Sequence, residues 1–262
     1  MDQNQLIERI VAEVVARMGQ QGSAAKAAPA SVKPLEPSIA PAELAKYIDH
    51  TLLRPEAPTS AFDKVCQEAL QHRFYSVCVN SCRAAYVARK LQGTGVKVCA
   101  VVGFPLGAMT SRSKAFEARE AISDGAAEID MVVNVGLLKS GDLAAVEEDI
   151  RAVRRATRGT TVLKVIIETA LLTQDEKVIA CELAKKAGAD FVKTCTGFSG
   201  GAASVEDVAL MRRAVGSAMG VKASGGVRTY KGAVALIGAG ANRLGCSASV
   251  AIVTGGDPGA GY

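Results

Sequence analysis

The stretch TQDEKVIACELAKKAGADFVKTC, residues 173–195, contains one complete helix-and-strand unit of the chain. Its first part has the apolar spacing of an amphipathic helix, and its last part is a short apolar run of the kind that forms a buried strand. Similar pairs of segments recur from Ala40 onward. Regular alternation of strands with helices is typical of a parallel sheet covered by helices.

Eight strand candidates occur along the chain, and eight strand–helix units match a (β/α)8 barrel, which commonly runs to roughly 250 residues as one domain. A doubly wound sheet shares the alternation, but the count of eight favours the barrel. We therefore predict an α/β fold with a (β/α)8 barrel over residues 42–256 and a flexible tail over residues 257–262. The strand candidates are KYIDHT, YSVCVN, KVCAVVGF, EIDMVVNV, TVLKVIIE, DFVKTC, GVKASGG and NRLGCSAS.

The composition limits the partners and cofactors of the protein. With 31 basic and 26 acidic residues, a net charge of +5 and no tryptophan, the chain shows no sign of binding nucleic acid, and we expect no membrane partner either. Seven cysteines, odd in number and without a CxxC pair, are typical of free thiols in a reducing, cytoplasmic compartment. Because there are only two histidines and no paired ligand spacing, we expect no metal and no other cofactor.

The N-terminal region is a separate unit. Residues 1–18 carry apolar side chains at helical spacing on one face and charges on the other, which predicts an amphipathic helix. Residues 19–41 are rich in Ala, Gly, Ser and Pro, which predicts a flexible linker. The helix either docks on its own domain, makes an oligomer contact, or targets the protein. The targeting interpretation rests on a resemblance to the encapsulation peptides of bacterial microcompartment cargo, with shell proteins as the partner.

Polar side chains gather at the carboxyl ends of the predicted strands, where the active sites of such barrels lie. Strand alternation places Lys164 and Glu168 on one face of their strand, the face we expect to point into the barrel. Taken singly, Cys78 is best explained by packing and Glu168 by capping or a supporting role. Asn80 and Asn134 suit loop closure and substrate contact equally well. The full set is Asp49, Cys78, Asn80, Asp130, Asn134, Lys164, Glu168, Lys193 and Lys222.

Lys193 and Lys222 lie on consecutive predicted strands, which are about 5 Å apart in a sheet. Two ammonium groups this close disfavour each other's charge, and partial burial acts in the same direction, so we expect one amine to be neutral near pH 7. A neutral amine attacks carbonyls and forms Schiff bases. With Asp130 positioning a water or a lysine and shuttling protons, this set predicts carbon–carbon bond chemistry through an iminium or enamine.

Glycine-rich segments follow the last two predicted strands. SGGVR spans residues 224–228 and GCSAS spans residues 245–249. Such loops expose backbone N–H groups to an anion, and the loops after strands seven and eight are the usual phosphate site of these barrels. TGFSGG, residues 196–201, is a candidate third wall. The pattern predicts a phosphorylated substrate.

These residues stand in motifs that closely resemble those of the deoxyribose-phosphate aldolases, a family of class I aldolases with a (β/α)8 fold. The resemblance runs from about Ala45 to about Gly256. It implies reversible cleavage of 2-deoxy-D-ribose 5-phosphate to acetaldehyde and D-glyceraldehyde 3-phosphate. The motifs are YIDHTLL, VCVN, VVGFPLG, KAFEAREAISDGAAEIDMVVNVG, LKVIIET, GADFVKTCTGFS, VKASGGVRT and NRLGCSAS.

The resemblance also implies site residues. Lys193 takes the place of the Schiff-base lysine, Lys222 that of the second lysine, and Asp130 that of the proton relay. A homodimer is expected because such barrels often dimerise. An aldolase acting on another phosphorylated aldehyde and a non-catalytic sugar-phosphate-binding scaffold stay open as alternatives. The expected substrate-binding residues are Asp49, Cys78, Lys164, Thr196, Gly225, Gly226 and Ser247.

Two features near the ends of these motifs need separate explanations. Cys195 stands where many relatives have serine, beside the segment GFSGGAA, and a buried inert thiol is the simpler explanation than a reactive one. The glycine-rich C-terminus ends in Tyr262. Its composition favours a frayed tail, and the alternative is a mobile lid whose phenol serves as a proton relay, since some family members also end in tyrosine.

Overall fold

The computed structural model describes residues 39–157 and 159–255. The predicted helix over residues 1–18, nearly all of the predicted linker and the tail with Tyr262 lie outside the described residues. A 3-10 helix begins at Pro41, the last residue of the predicted linker, and leads directly into the first strand. Among the helices described, none has the length and apolarity needed to cross a membrane.

The eight strands form a closed barrel in which each strand pairs in parallel with the next and β1 pairs with β8. Seven strands lie within the segments named from the sequence and β1 extends one residue beyond its segment, to Leu52, so the predicted (β/α)8 fold is confirmed. The strands are β1 (Ile48–Leu52), β2 (Ser76–Asn80), β3 (Lys97–Val102), β4 (Glu128–Val132), β5 (Val162–Ile166), β6 (Phe191–Lys193), β7 (Gly220–Ser224) and β8 (Arg243–Cys246).

Helices connect the strands and cover the outside of the barrel. The opening stretch forms α6, whose first turn is closed by a capping box: Thr173 Oγ1 accepts from the Glu176 N–H, and Glu176 accepts from the Thr173 N–H at 2.7 Å. The helices are α1 (Thr59–His72), α2 (Ala84–Leu91), α3 (Ser111–Ser123), α4 (Val135–Lys139), α5 (Leu143–Ala156), α6 (Gln174–Lys186), α7 (Val205–Val215), α8 (Tyr230–Gly238) and α9 (Ser249–Thr254). Further 3-10 turns span Ser81–Arg83 and Thr169–Leu171.

Alternation along the strands separates an apolar outer layer from a charged interior. On β4, Ile129 and Met131 belong to the main apolar core. Asp130 between them lies on the opposite face of the strand, and its buried side chain faces the barrel interior. The strand register then brings charged residues together, pairing Asp130 with Lys164 and Lys193 with Lys222. The fold therefore places these side chains at the same end of the barrel interior.

Candidate active site

Lys193 and Lys222 share one carboxylate oxygen. Their Nζ atoms lie 2.8 Å and 2.7 Å from Oδ2 of Asp130, and all three side chains are buried. The predicted proximity of the two amines is therefore present, but the two do not simply face each other. The carboxylate of Asp130 accepts a hydrogen bond from each amine and offsets the repulsion between them.

Below this pair, further charges fill the barrel interior. Lys164 Nζ lies 2.7 Å from Oδ1 of Asp130 and 2.6 Å from Oε2 of Glu128. Lys222 Nζ lies 2.5 Å from Oδ2 of Asp49. Because every carboxylate meets at least one cation, the burial of these groups is compensated, which is the condition under which charges persist in an interior.

Arg243 closes the network at the far end. Its guanidinium donates to Oδ1 of Asp49 at 2.9 Å and to Oε2 of Glu128 at 3.1 Å, and it lies 3.4 Å from the ring centroid of Tyr75. Planar stacking of this kind suits arginine better than lysine. Sequence reasoning missed both Arg243 and Glu128. A signal was present, since Glu128 lies two residues before Asp130 and therefore on the same face of β4.

The charges in this network fix the protonation of Lys222. Burial disfavours its ammonium form, but Asp130 and Asp49 outweigh burial and raise the pKa of Lys222. For Asp130 burial disfavours the carboxylate form and acts to raise its pKa. The three neighbouring lysines, Lys164, Lys193 and Lys222, outweigh burial and lower the pKa of Asp130 well below its usual value. Lys222 is therefore a persistent cation. The sequence argument expected one of the two amines to be neutral, and Lys222 is not that one.

Lys193 is the lysine of the network that reaches a cavity. The cavity has a volume of about 270 Å³, and Thr196, Gly225, Gly226 and Ser247 also form its wall. These five predicted site residues are thus brought together from the ends of β6, β7 and β8. Phe198, Ser224, Arg228 and Gly245, which belong to the glycine-rich segments predicted for phosphate, also line it. Thr51, Leu53 and Arg54 line it as well, and sequence reasoning did not name them.

Close packing explains the glycines of this wall. Gly225 has φ +92°, and a Cβ there would lie 3.0 Å from the carbonyl oxygen of Gly201 and 3.2 Å from Cβ of Cys195. Gly226 has φ +70°, and a Cβ there would lie 2.9 Å from Cβ of Ala202. Only glycine fits both the left-handed backbone and the space. The loop after β7 therefore packs directly on the loop after β6.

A buried amine on a carboxylate, at the floor of a glycine-walled cavity in a (β/α)8 barrel, agrees with the family match. Residues 44–253 match the model of the DeoC/LacD family aldolases. The chain belongs to this aldolase family. The match covers nearly all of the described barrel, so the family and fold expected from the motifs are confirmed.

Individual relatives of the aldolase agree. It is 60% identical over 218 residues to the deoxyribose-phosphate aldolase of Brevibacillus brevis, covering 83% of this chain and 98% of that one. It is 58% identical over 212 residues to the deoxyribose-phosphate aldolase of Clostridium novyi, covering 81% and 96%. Among solved structures, the tetrameric deoxyribose phosphate aldolase of Aeropyrum pernix is 32% identical with a TM-score of 0.77, covering 82% and 91%.

Three expected substrate-binding residues of the aldolase lie outside the cavity wall. Asp49 and Lys164 are fully buried in the charge network. Cys78 is fully buried and packs with Leu53, Cys99 and other apolar side chains. Asp49 and Lys164 contact other charged groups, and the burial of Cys78 agrees with the packing interpretation. Direct substrate contact at these three positions stays a prediction.

Cys78, Cys99 and Asp130 of the aldolase place ligand-type atoms within 4.8 Å of one another. Both oxygens of Asp130, however, accept hydrogen bonds from lysine ammonium groups. A metal ion at this position would have to displace those ammonium groups and withstand their charge. The donor set suits ammonium groups better than a metal ion.

The two asparagines are used for loop structure. The Asn80 side chain donates to the carbonyl oxygen of Leu53 at 3.1 Å. Asn134 caps α4, accepting from the N–H of Leu137 at 3.1 Å. Of the two interpretations left open for them, the structure favours loop closure over substrate contact.

Cys195 of the aldolase is fully buried, and its Sγ lies 3.2 Å from Oγ1 of Thr169. Burial raises the pKa of its thiol, so the reactive thiolate is disfavoured. Glu168 is also buried, and its carboxylate accepts from the N–H of Thr196 at 3.1 Å. The inert interpretation of Cys195 and the supporting role of Glu168 both agree with these contacts.

Proposed function

We propose that this aldolase catalyses the reversible cleavage of 2-deoxy-D-ribose 5-phosphate to acetaldehyde and D-glyceraldehyde 3-phosphate, as an aldehyde-lyase that needs no metal or other cofactor. The observation that carries the proposal is the amine of Lys193 at the floor of the cavity, hydrogen-bonded to the carboxylate it shares with Lys222. Relatives that align over nearly their whole length bear the corresponding name.

Charge balance supports Lys193 as the nucleophile. Asp49, Glu128 and Asp130 provide three carboxylates, and Lys164, Lys222 and Arg243 provide three cations that contact them. A neutral amine at the fourth cationic position leaves the buried network balanced. The neutral amine is also the form that attacks a carbonyl.

The reaction then proceeds in balanced steps. Lys193 adds to the C1 aldehyde of the open-chain sugar, and loss of water gives an iminium. Loss of the C3 hydroxyl proton allows the C2–C3 bond to break, and its electron pair flows to the iminium nitrogen, giving an enamine and D-glyceraldehyde 3-phosphate. Protonation of the enamine at C2 and hydrolysis release acetaldehyde and the free lysine.

We assign the movement of these protons to Asp130 and Lys222. Asp130 contacts the Lys193 amine directly, and Lys222 donates to the same oxygen, so a proton has a hydrogen-bonded path from one amine to the other. We assign to Asp49 and Lys164 the role of holding Lys222 and Asp130 in position.

The cavity wall suits the phosphate group. Gly225 and Gly226 leave the backbone open to an anion, and Ser247 adds a hydroxyl. Arg54 and Arg228 are exposed residues of the same wall and add positive charge. We assign substrate phosphate to this side of the cavity, with Thr196 in its third wall.

Borohydride trapping tests the proposal. Incubation with acetaldehyde and borohydride should leave a reduced two-carbon adduct on Lys193, read by peptide mass, and the protein should cleave deoxyribose phosphate. Absence of any adduct would favour a sugar-phosphate-binding scaffold. An adduct without cleavage of this sugar phosphate would favour an aldolase with another substrate.

We further propose that residues 1–18 target the enzyme to a bacterial microcompartment; the support is the sequence pattern alone. Deletion of residues 1–38 retains Ile39, whose carbonyl oxygen accepts from the Tyr230 hydroxyl at 2.7 Å. The truncated enzyme should keep full activity and lose co-sedimentation with shells. Unchanged co-sedimentation would contradict targeting.

Three smaller assignments complete the proposal. We assign the enzyme to the cytoplasm, inside or outside a shell, in line with its seven free cysteines. We assign it a homodimeric state, which light scattering checks. For Tyr262 the proton-relay role and the frayed tail stay alternatives. Unchanged turnover and unchanged solvent exchange at the acetaldehyde methyl group after its removal would refute the relay.

A further inference from the structure

Glu168 has a backbone conformation that is costly for its side chain. It follows β5 and has φ +56°, ψ +65°, in the left-handed region. Among the described residues, only Arg73 is another non-glycine with positive φ, and it ends α1 as an exposed helix cap, where that conformation is common. Strained backbone of this kind persists where the surroundings determine it and is frequent at functional sites.

The Glu168 carboxylate binds the loop after β6. Its Oε2 accepts from the N–H of Thr196 at 3.1 Å, from the Thr196 hydroxyl at 2.5 Å and from the Ser199 hydroxyl at 3.3 Å. Thr196 Oγ1 in turn accepts from the N–H of Phe198 at 3.1 Å. One buried carboxylate thus fixes the first turn of a loop that contributes Thr196, Gly197 and Phe198 to the cavity wall.

The other oxygen of Glu168 is unsatisfied. Glu168 is only 2% exposed. Its Oε1 is buried and has no hydrogen-bond partner among the described residues. A buried polar atom without a partner costs stability. The residue therefore carries two costs, one in the backbone and one in the side chain, and its hydrogen bonds all go to a single loop of the active site.

The same loop supports the glycines proposed to receive phosphate. The N–H of Ala203 donates to the carbonyl oxygen of Gly225 at 2.9 Å. A Cβ at Gly225 or at Gly226 would meet Gly201 or Ala202. A shift of the loop after β6 would therefore move the wall formed by Gly225 and Gly226.

We propose that Glu168 is a positioning residue for substrate binding: its carboxylate holds the Thr196–Gly201 loop, and through it the Gly225–Gly226 wall, in the geometry that accepts a phosphorylated sugar. The inference rests on the proposed function. It acts through the loop, since Glu168 is absent from the cavity wall, and it predicts an effect on phosphate recognition rather than on the Schiff-base chemistry at Lys193.

The test compares Glu168→Gly, Glu168→Gln and wild type on 2-deoxy-D-ribose 5-phosphate and on unphosphorylated 2-deoxy-D-ribose. Glu168→Gly releases the backbone and removes the carboxylate; we expect KM for the phosphorylated sugar to rise about tenfold with kcat changed by less than about threefold. KM for the unphosphorylated sugar should stay within about twofold. Glu168→Gln keeps one acceptor oxygen and should rescue most of the loss.

A thermal unfolding scan separates positioning from a merely structural role. Glycine adopts φ +56° freely and the unpaired oxygen is removed, but the variant also loses the hydrogen bonds from Thr196 and Ser199. Glu168→Gly should therefore unfold cooperatively with a Tm moderately below that of wild type, and KM is measured well below that temperature. A folded Glu168→Gly enzyme with unchanged KM would overturn the proposal. Equal increases in KM for both sugars would overturn it as well.

Two further arms make the outcome decisive. If Glu168→Gly fails to fold, Thr196→Val and Thr196→Ser replace it: the valine should raise KM about tenfold and the serine should not, and equal KM values would overturn the proposal.

If wild type fails to cleave the sugar phosphate, the proposed function fails. The positioning role is then decided by calorimetry with inorganic phosphate, for which Glu168→Gly should bind more weakly than wild type, and equal affinities would overturn it.

Discussion

Oδ2 of Asp130 lies 2.8 Å from Nζ of Lys193, the buried lysine that also lines the cavity. The same oxygen accepts from Lys222, so the carboxylate is both the electrostatic partner and the proton path between the two amines. Three lysines converge on Asp130 in all, and they hold its pKa well below its usual value against the opposing effect of burial.

Replacing Asp130 with Asn should lower kcat by far more than a loss of folded protein explains. The amide keeps the shape but loses the charge and the ability to accept a proton, so kcat should fall by about 10²–10⁴-fold. Steady-state kinetics on the folded fraction measures this. The unfolding free energy should also fall, by about 3–5 kcal/mol, because buried ammonium groups lose their partner.

Asp149 offers a matched control for that variant. It is buried and paired with Lys114 at 2.6 Å, on α5 and away from the cavity wall. Asp149→Asn should destabilise the protein by a comparable amount while the folded enzyme keeps its kcat. If both variants lost kcat equally, Asp130 would have no special role in the reaction.

Lys222→Met should separate Schiff-base formation from turnover. The nucleophile is retained, so borohydride with acetaldehyde should still label Lys193, although kcat should fall by about 10²–10⁴-fold because a proton donor is lost. Peptide mass after trapping, together with the cleavage rate, checks both. Lys193→Met is the control and should give no adduct; an adduct on Lys222 in that variant would contradict the assignment.

Acid should unfold the protein through the carboxylates of the charge network. Burial raises the pKa of Asp49, but Lys222, Lys164 and Arg243 outweigh burial and lower it in the folded state. A group whose folded pKa is depressed stabilises the fold above its unfolded value of about 3.9 and loses that contribution as the pH falls toward the folded value. We expect stability to decline below about pH 5, by up to about 1.4 kcal/mol per pH unit for each such group.

Urea unfolding between pH 7 and pH 3.5 measures this decline. Asp49→Asn removes one of the titrating groups, so its unfolding free energy should start lower at pH 7 and depend less steeply on pH. An identical slope in the variant would show that Asp49 does not titrate between the two states as described.

Much of this site was open to prediction from the sequence. Lys193 and Lys222 stand at the ends of consecutive strand segments, and strand order in a barrel follows chain order, so their proximity needed no structure. Gly225 and Gly226 could also be located from the sequence, because the loops after the seventh and eighth strands are the usual phosphate site in this fold.

The rest depended on contacts across the barrel. Arg243 on β8 meets Glu128 on β4, and no local pattern relates residues 115 positions apart. Asp130 was named from the sequence as positioning a water or a lysine, but its place between Lys193 and Lys222 depends on a strand that is adjacent to neither. The sequence argument therefore found both amines but not the contacts with Asp49 and Asp130 that raise the pKa of Lys222.

Gly225→Ala tests whether the glycine wall binds phosphate. The added Cβ would lie 3.0 Å from the carbonyl oxygen of Gly201 in a left-handed backbone with φ +92°, so the wall must shift. We expect KM for the phosphorylated sugar to rise by about tenfold or more, with a loss of stability of about 1–2 kcal/mol from the backbone conformation. Kinetics with phosphorylated and unphosphorylated sugar, and urea unfolding, measure the two effects separately.

Gly93→Ala is the matched control for the backbone. Gly93 has φ +76°, lies between α2 and β3, and has nothing within 4 Å of an added Cβ. Gly93→Ala should lower the free energy of unfolding by a similar amount, about 1–2 kcal/mol, and leave KM unchanged. If Gly225→Ala behaved in the same way as Gly93→Ala, close packing at Gly225 would have no part in binding, and the phosphate would have to lie elsewhere in the cavity.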